Sequence, residues 1–162
     1  MAVVYFLIGV PGSGKTTWRE SYLKKHSTEN VVIISTDDMI EHYAKENGLT
    51  YTEAFKIAPL KKFEEIAFQM TKNAINNKDT IIIDRTNMGK NIRAKFLSYF
   101  PNEYKKIAII FSISRDELDK RLAKREKETN KVIGKNIIDS MLLSYMPPSL
   151  DEGFDQIIKK YA

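Results

Sequence analysis

Gly9-Val10-Pro11-Gly12-Ser13-Gly14-Lys15-Thr16 sets two glycines around four residues and follows them with Lys-Thr, the spacing of a loop that holds phosphate. Gly12 and Gly14 allow the backbone to approach oxygen where a Cβ would block it. Successive N–H groups, those of Ser13 and Thr17 among them, then face one anion. Lys15 reaches the β and γ phosphates and the Thr16 hydroxyl can ligate Mg²⁺. These residues point to a bound nucleoside triphosphate.

Phosphate binding alone does not separate group transfer from mechanical work or switching, so the acceptor side of the site has to decide. A second apolar run ends in Ser35-Thr36-Asp37-Asp38. An Asp there can take the proton of an acceptor hydroxyl as its bond to phosphorus forms. Asp38 and Glu41 stand at capping-box spacing, which assigns Asp38 to the helix start and leaves Asp37 for chemistry. A third run ends in Asp84-Arg85-Thr86-Asn87. Asp84 suits Mg²⁺ or acceptor orientation, while Thr86 and Asn87 read either as hydrogen-bond donors to substrate or as a plain turn. Arg121 and Arg125 share a helical face, as a phosphate clamp or as a solvated surface. Arginine is otherwise confined to Arg19, Arg85, Arg93 and Arg115, each a candidate for a fixed phosphate contact.

These groups need strands to carry them. Val3–Ile8 is a β-branched and aromatic run without alternation, the pattern of a strand buried on both faces. Similar runs recur at Val31–Ile34, Ile81–Ile83 and Ile107–Phe111, with helix-length stretches between them. A weaker strand at Asp155–Lys159 would close the edge. That rhythm predicts an α/β fold, three layers with a parallel sheet between helices. Carboxyl ends of such strands share one crevice, which brings Asp37 and Asp84 opposite the phosphate loop. Pro59 would start a long helix, and Asp116–Lys127 forms a charged helix leading into a mobile lid at about 121–135.

The length, 162 residues, fits one domain, 1–162. With 43% apolar residues and no cysteine, the chain has a core to fill without staples, and disulfide scaffolds, thiolate metal sites and thiol nucleophiles are excluded. His26 and His42 are too few for a zinc site. The opening apolar run is too short to span a bilayer, so a cytoplasmic protein without membrane partners is expected, and heavy use of Lys, Asn and Ile suits an AT-rich genome such as a phage's. A net charge of +5 fits a polyanionic partner or an ATP site equally.

Taken in order, the motifs resemble the 5′-hydroxyl polynucleotide kinases of phage and bacterial nucleic-acid repair, and the kinase domain of animal end-healing enzymes. The resemblance runs from about Tyr5 to Ile158 and includes the loop down to Trp18, Asp37-Asp38, Asp84-Arg85-Thr86-Asn87, Lys120–Arg125 and Pro148–Phe154. It implies a P-loop kinase-like fold and an ATP- and Mg²⁺-dependent transfer of the γ-phosphate to the 5′-OH of DNA or RNA. Asp37 would be the general base, Lys15 and Arg125 would stabilise the transferring phosphate, and Arg121 would flank ATP. Phage and bacterial members carry an arginine three residues after the base, where this chain has Ile40; Arg85 or Arg93 would have to supply that grip. A kinase for a small metabolite on the same fold is the alternative.

Overall fold

The structure is a computed structural model that describes residues 1–162. Five strands, β1 (Ala2–Ile8), β2 (Val31–Ile34), β3 (Thr80–Asp84), β4 (Tyr104–Ser112) and β5 (Gln156–Tyr161), form one sheet in the order β2-β3-β1-β4-β5. Every neighbouring pair is parallel. The expected strands are therefore all present, including the weak edge strand.

β1 lies at the centre, and its side chains alternate between two cores. Val4, Phe6 and Ile8 face one side with Ala67 and Ala74 of α4 (Leu60–Asn76) and Phe96 and Leu97 of α5 (Lys90–Leu97). Leu7 faces the other side with Ile82 and Ile109, under Trp18 and Tyr22 of α1 (Lys15–Lys25). Burial on both faces is why the strand reads as unbroken apolar sequence. Fully burying one such side chain contributes roughly 1.5–3 kcal/mol. Phe6 meets Phe100 and Phe154 edge-on, with ring centres 6.1 and 5.4 Å apart, so Phe6→Ala would cost about 3–5 kcal/mol.

Four further helices frame the carboxyl end of the sheet: α2 (Thr36–Glu46), α3 (Tyr51–Ile57), α6 (Arg115–Thr129) and α7 (Lys135–Ser144). Pro59 caps α4 as its sequence position suggests. Ser35, not Asp38, caps α2: its hydroxyl accepts from the Asp38 amide at 3.1 Å. Four cap-competent residues stand in a row there, and β2 ends at Ile34, which puts the first of them at the cap. No helix is long and apolar enough to cross a membrane.

Candidate functional site

The loop between β1 and α1 turns through two left-handed glycines, Gly12 (φ 85°) and Gly14 (φ 110°), angles that other residues adopt only with strain. At Gly12 a Cβ would also press Leu118 and Leu122 at 3.3 Å. The N–H groups of Gly12, Gly14, Lys15, Thr16 and Thr17 have no protein acceptor. Five free donors at a helix N-terminus fit a polyphosphate. Ser13 departs from its expected role: its amide donates to the Val10 carbonyl at 3.2 Å and the residue is buried.

Lys15 extends from the loop toward the strand ends, and its Nζ donates to the Arg85 carbonyl at 3.4 Å. Burial lowers the Lys15 amine to about 8; Asp84 and Asp37 pull it only partly back, and Arg125 and Lys131 add a smaller repulsion. An incoming anion would relieve that penalty.

A cavity of about 900 Å³ joins this loop to the acceptor side. Gly12, Gly14, Lys15, Thr16 and Thr17 line one end, Asp37, Asp84, Arg85 and Thr86 the other, and Arg121 and Arg125 the wall that α6 supplies. The sequence-predicted residues are thus brought together around one space, apart from Ser13, Asn87 and the arginines Arg19, Arg93 and Arg115. Ser13 instead lines an adjoining hollow of about 460 Å³ with Trp18, Phe111, Arg121 and Tyr161.

Asp37 is held from two directions. Tyr51 donates its hydroxyl hydrogen to Oδ1, and Lys131 Nζ stands 2.5 Å from Oδ2. Burial pushes the Asp37 carboxyl up, but those hydrogen bonds and the charges of Lys131 and Arg125 outweigh it and hold the group below its ordinary range. Asp37 is therefore ionised at neutral pH. Asp84 goes the other way: burial raises it, and Lys15 and Arg19 pull it only partly back. One Asp84 oxygen takes a hydrogen bond from Arg19 at 2.8 Å, and the same guanidinium reaches Asp38 at 3.0 Å.

Several expected substrate contacts turn out to be structural. Asn87 is 1% exposed, with a left-handed backbone (φ 51°), and its amide donates to the carbonyls of Leu7, Ile83 and Arg85. The turn reading of Asn87 prevails, because its side chain closes the β1–β3 strand ends. Arg93 cannot grip an acceptor. It is fully buried, paired with Glu152 at 2.9 and 3.2 Å, and donates to the carbonyls of Asn87 and Met88. This explains the Pro148–Phe154 motif: Ser149 and Glu152 form a capping box, Glu152 clamps Arg93, and Phe154 seals the core. Arg85 lines the cavity, but its guanidinium is bidentate to Glu64 and lies over the Phe96 ring. Ile40 is buried.

Arg121 pairs with Glu117 at 3.1 Å and donates to the Gly12 carbonyl at 3.3 Å, so it touches the loop directly. Arg115 pairs with Asp119 and Asp139 on the surface. Arg125 is the one arginine without a carboxylate partner, and it lines the cavity. Sequence reasoning missed Tyr51 and Lys131. Thr50-x-x-Glu53 is a capping box that could have revealed α3 and hence Tyr51 at its start; no local signal marks Lys131.

A family model described as AAA domain matches residues 4–148. Among curated proteins, an adenylate kinase from a Nitratiruptor species is 38% identical over 92 residues, which cover 52% of this chain and 45% of that protein. The chain thus spans less than half the length of the curated relatives it matches. Several solved structures share its fold. A chain of the Pnkp1/Rnl/Hen1 RNA repair complex superposes with a TM-score of 0.66 at 24% identity, over 88% of this chain and 43% of that one. A fungal RNA kinase does so with a TM-score of 0.63 at 17% identity, over 98% and 38%. The three-layer α/β/α architecture with a five-stranded parallel sheet is that of P-loop kinases.

Proposed function

The chain belongs to the AAA domain family, with a P-loop kinase fold, and on that premise we propose that it is a kinase-type phosphotransferase that moves the γ-phosphate of ATP to the 5′-hydroxyl of a polynucleotide. The observation that carries this reading is the single cavity with free loop N–H groups and Lys15 at one end and an ionised Asp37 at the other. ATP would lay its phosphates on Gly12–Thr17, with its nucleoside toward the hollow beside Trp18 and Tyr161. Lys15 and Arg125 would meet charge on the migrating group, and Arg121, already on the loop, would flank it.

Asp37 would accept a hydrogen bond from the acceptor hydroxyl and take its proton once the oxygen–phosphorus bond is forming. A carboxylate of low basicity suits that late transfer, because in a loose transition state orientation counts for more than proton affinity. The Thr16 hydroxyl and Asp84, both on the cavity wall, are the protein groups that would hold Mg²⁺, Asp84 through the oxygen that Arg19 leaves free. When bound, the ion would neutralise phosphate charge. The whole of 1–162 would act as one unit, with 121–135 as its lid. Supporting a nucleic-acid acceptor are the free Arg125 and Lys56 on the cavity wall and likeness in fold to the RNA repair complex and the fungal RNA kinase.

Similarity to an adenylate kinase over 92 residues favours a smaller acceptor instead. The test is transfer from γ-labelled ATP to an oligonucleotide with a free 5′-OH, run beside nucleosides and sugars. Oligonucleotide labelling is expected; metabolite labelling alone would overturn the polynucleotide assignment.

A further inference from the structure

Asn130 ends α6 with a left-handed backbone (φ 55°), which asparagine tolerates better than most residues. The chain reverses there. Lys131, whose amide donates to the Thr129 hydroxyl at 3.3 Å, folds back toward the cavity and is only 5% exposed. Lysine is seldom buried so deeply without a partner. Its Nζ stands 2.5 Å from Asp37, 3.3 Å from Glu41 and 4.0 Å from the centre of the Tyr51 ring. Asp37 and Glu41 lie four apart on α2, on one face. Tyr51 opens α3, where the Thr50–Glu53 capping box fixes the helix start. The consecutive helices α2 and α3 and the distant end of α6 therefore converge on one carboxylate.

Resting on the reading of Asp37 as acceptor base, we propose that Lys131 and Tyr51 are positioning residues that lock the Asp37 carboxylate in one orientation, with Lys131 also bolting the end of the lid helix to α2. Each Asp37 oxygen is held by one donor, which leaves its remaining lone-pair direction for the acceptor hydroxyl. Without the bolt the carboxylate could rotate, and the geometry that a near-attack arrangement requires would be lost. The remaining charges around Asp37 are Arg125 from α6, Lys15 from the loop, Asp84 from β3 and Glu41 from its own helix. Of the cations, Lys131 alone donates a hydrogen bond to the carboxylate.

Lys131→Met keeps the length and apolar stem of the side chain and removes its charge; Tyr51→Phe removes one hydroxyl and keeps the ring beneath Lys131. In the full chain without nucleotide, the Asp37 carboxyl carbon, assigned by its loss in Asp37→Asn, is titrated by NMR. The midpoint should rise by about one pH unit in Lys131→Met and by less in Tyr51→Phe. Oligonucleotide phosphorylation by Lys131→Met should lose about tenfold in kcat, with KM for ATP within about twofold, and the acidic limb of its pH–rate profile should move up with the midpoint. A midpoint that stays put in both variants overturns the proposal, as does a shifted midpoint with unchanged kcat. Should the midpoint move in a protein whose wild type phosphorylates no hydroxyl, the bolt is upheld and the reading of Asp37 as a base fails on its own. Tyr51→Phe carries the test if Lys131→Met does not fold.

Discussion

At the donor end of the cavity, the N–H groups of Gly12, Gly14, Lys15, Thr16 and Thr17 come from one short run of chain and are aimed by backbone angles alone. At the acceptor end, Asp37 is aimed by side chains that lie 14 and 94 residues away. A backbone cradle has no rotamers to lose when it binds, whereas a carboxylate held by a lysine and a tyrosine depends on helices that have to pack first. The two ends should therefore fail separately: damage to the loop removes binding, and damage to the acceptor end removes transfer.

The largest effects test that separation. Asp37→Asn should lower transfer by about 10²–10⁴-fold while the ATP dissociation constant, read by calorimetry, stays within about twofold. Gly12→Val should do the reverse. Its Cβ would meet Leu118 and Leu122 at 3.3 Å in a left-handed backbone, so the cradle distorts and ATP binding is lost first. If Asp37→Asn weakens ATP as much as it slows transfer, the two ends are one coupled unit and the contrast is wrong.

Next in size is a stability effect beneath the acceptor end. Arg93 and Glu152 form a pair with side chains 0% and 3% exposed, and Arg93 also satisfies the carbonyls of Asn87 and Met88. Arg93→Met would leave the buried Glu152 carboxylate without its counter-ion and the Asn87 carbonyl unpaired, at a cost of about 3–5 kcal/mol. Urea unfolding should show a lower midpoint with an unchanged slope. A loss under about 1 kcal/mol would mean that Glu152 finds water or another partner.

The donor end carries a pH dependence of its own. Lys15 titrates near 8 in the free protein because burial disfavours its charge, and phosphate binding needs the charged form. ATP affinity should be flat below about pH 8 and fall by up to about tenfold per unit above it. Lys15→Arg should flatten that limb. The sign for folding is opposite: with the folded value below the ordinary 10.5, Lys15 disfavours the fold while protonated, and its contribution improves between about pH 8 and 10.5. Asp37, held low, stabilises the fold above its unfolded value and loses that contribution as pH drops through its folded one.

What the sequence made legible follows the same division. The loop, the five strands and the convergence of Asp37 and Asp84 on one crevice rest on local glycine spacing and β-branched runs, and both survive without knowledge of the fold. The acceptor end does not. Lys131 sits in a charged tract that reads as solvated, and only the left-handed turn at Asn130 sends it inward. Asn87 and Arg93 have polar side chains suited to substrate, yet both are consumed by carbonyls that strand and turn ends leave unpaired, a demand visible only once the chain is folded. Ile66 falls on the apolar period of α4 but is 40% exposed, while Thr71 is buried and donates to the Ala67 carbonyl.

The smallest effect decides whether Arg85 belongs to the acceptor end at all. Its side chain is 22% exposed and its fork is filled by Glu64, with Phe96 beneath at 5.2 Å. A partly exposed pair of this kind contributes about 0–1 kcal/mol, so Arg85→Met should shift the unfolding midpoint slightly and leave the acceptor KM within about twofold. A guanidinium already engaged by a carboxylate has to break that pair before it meets a phosphate, and the exchange gains little. Glu64→Gln removes this competition. If acceptor KM falls in Glu64→Gln and rises in Arg85→Met with kcat unchanged, Arg85 is an acceptor contact held in reserve. If neither moves, the grip on the acceptor lies with Arg125 and Lys56, which line the cavity and which no carboxylate holds.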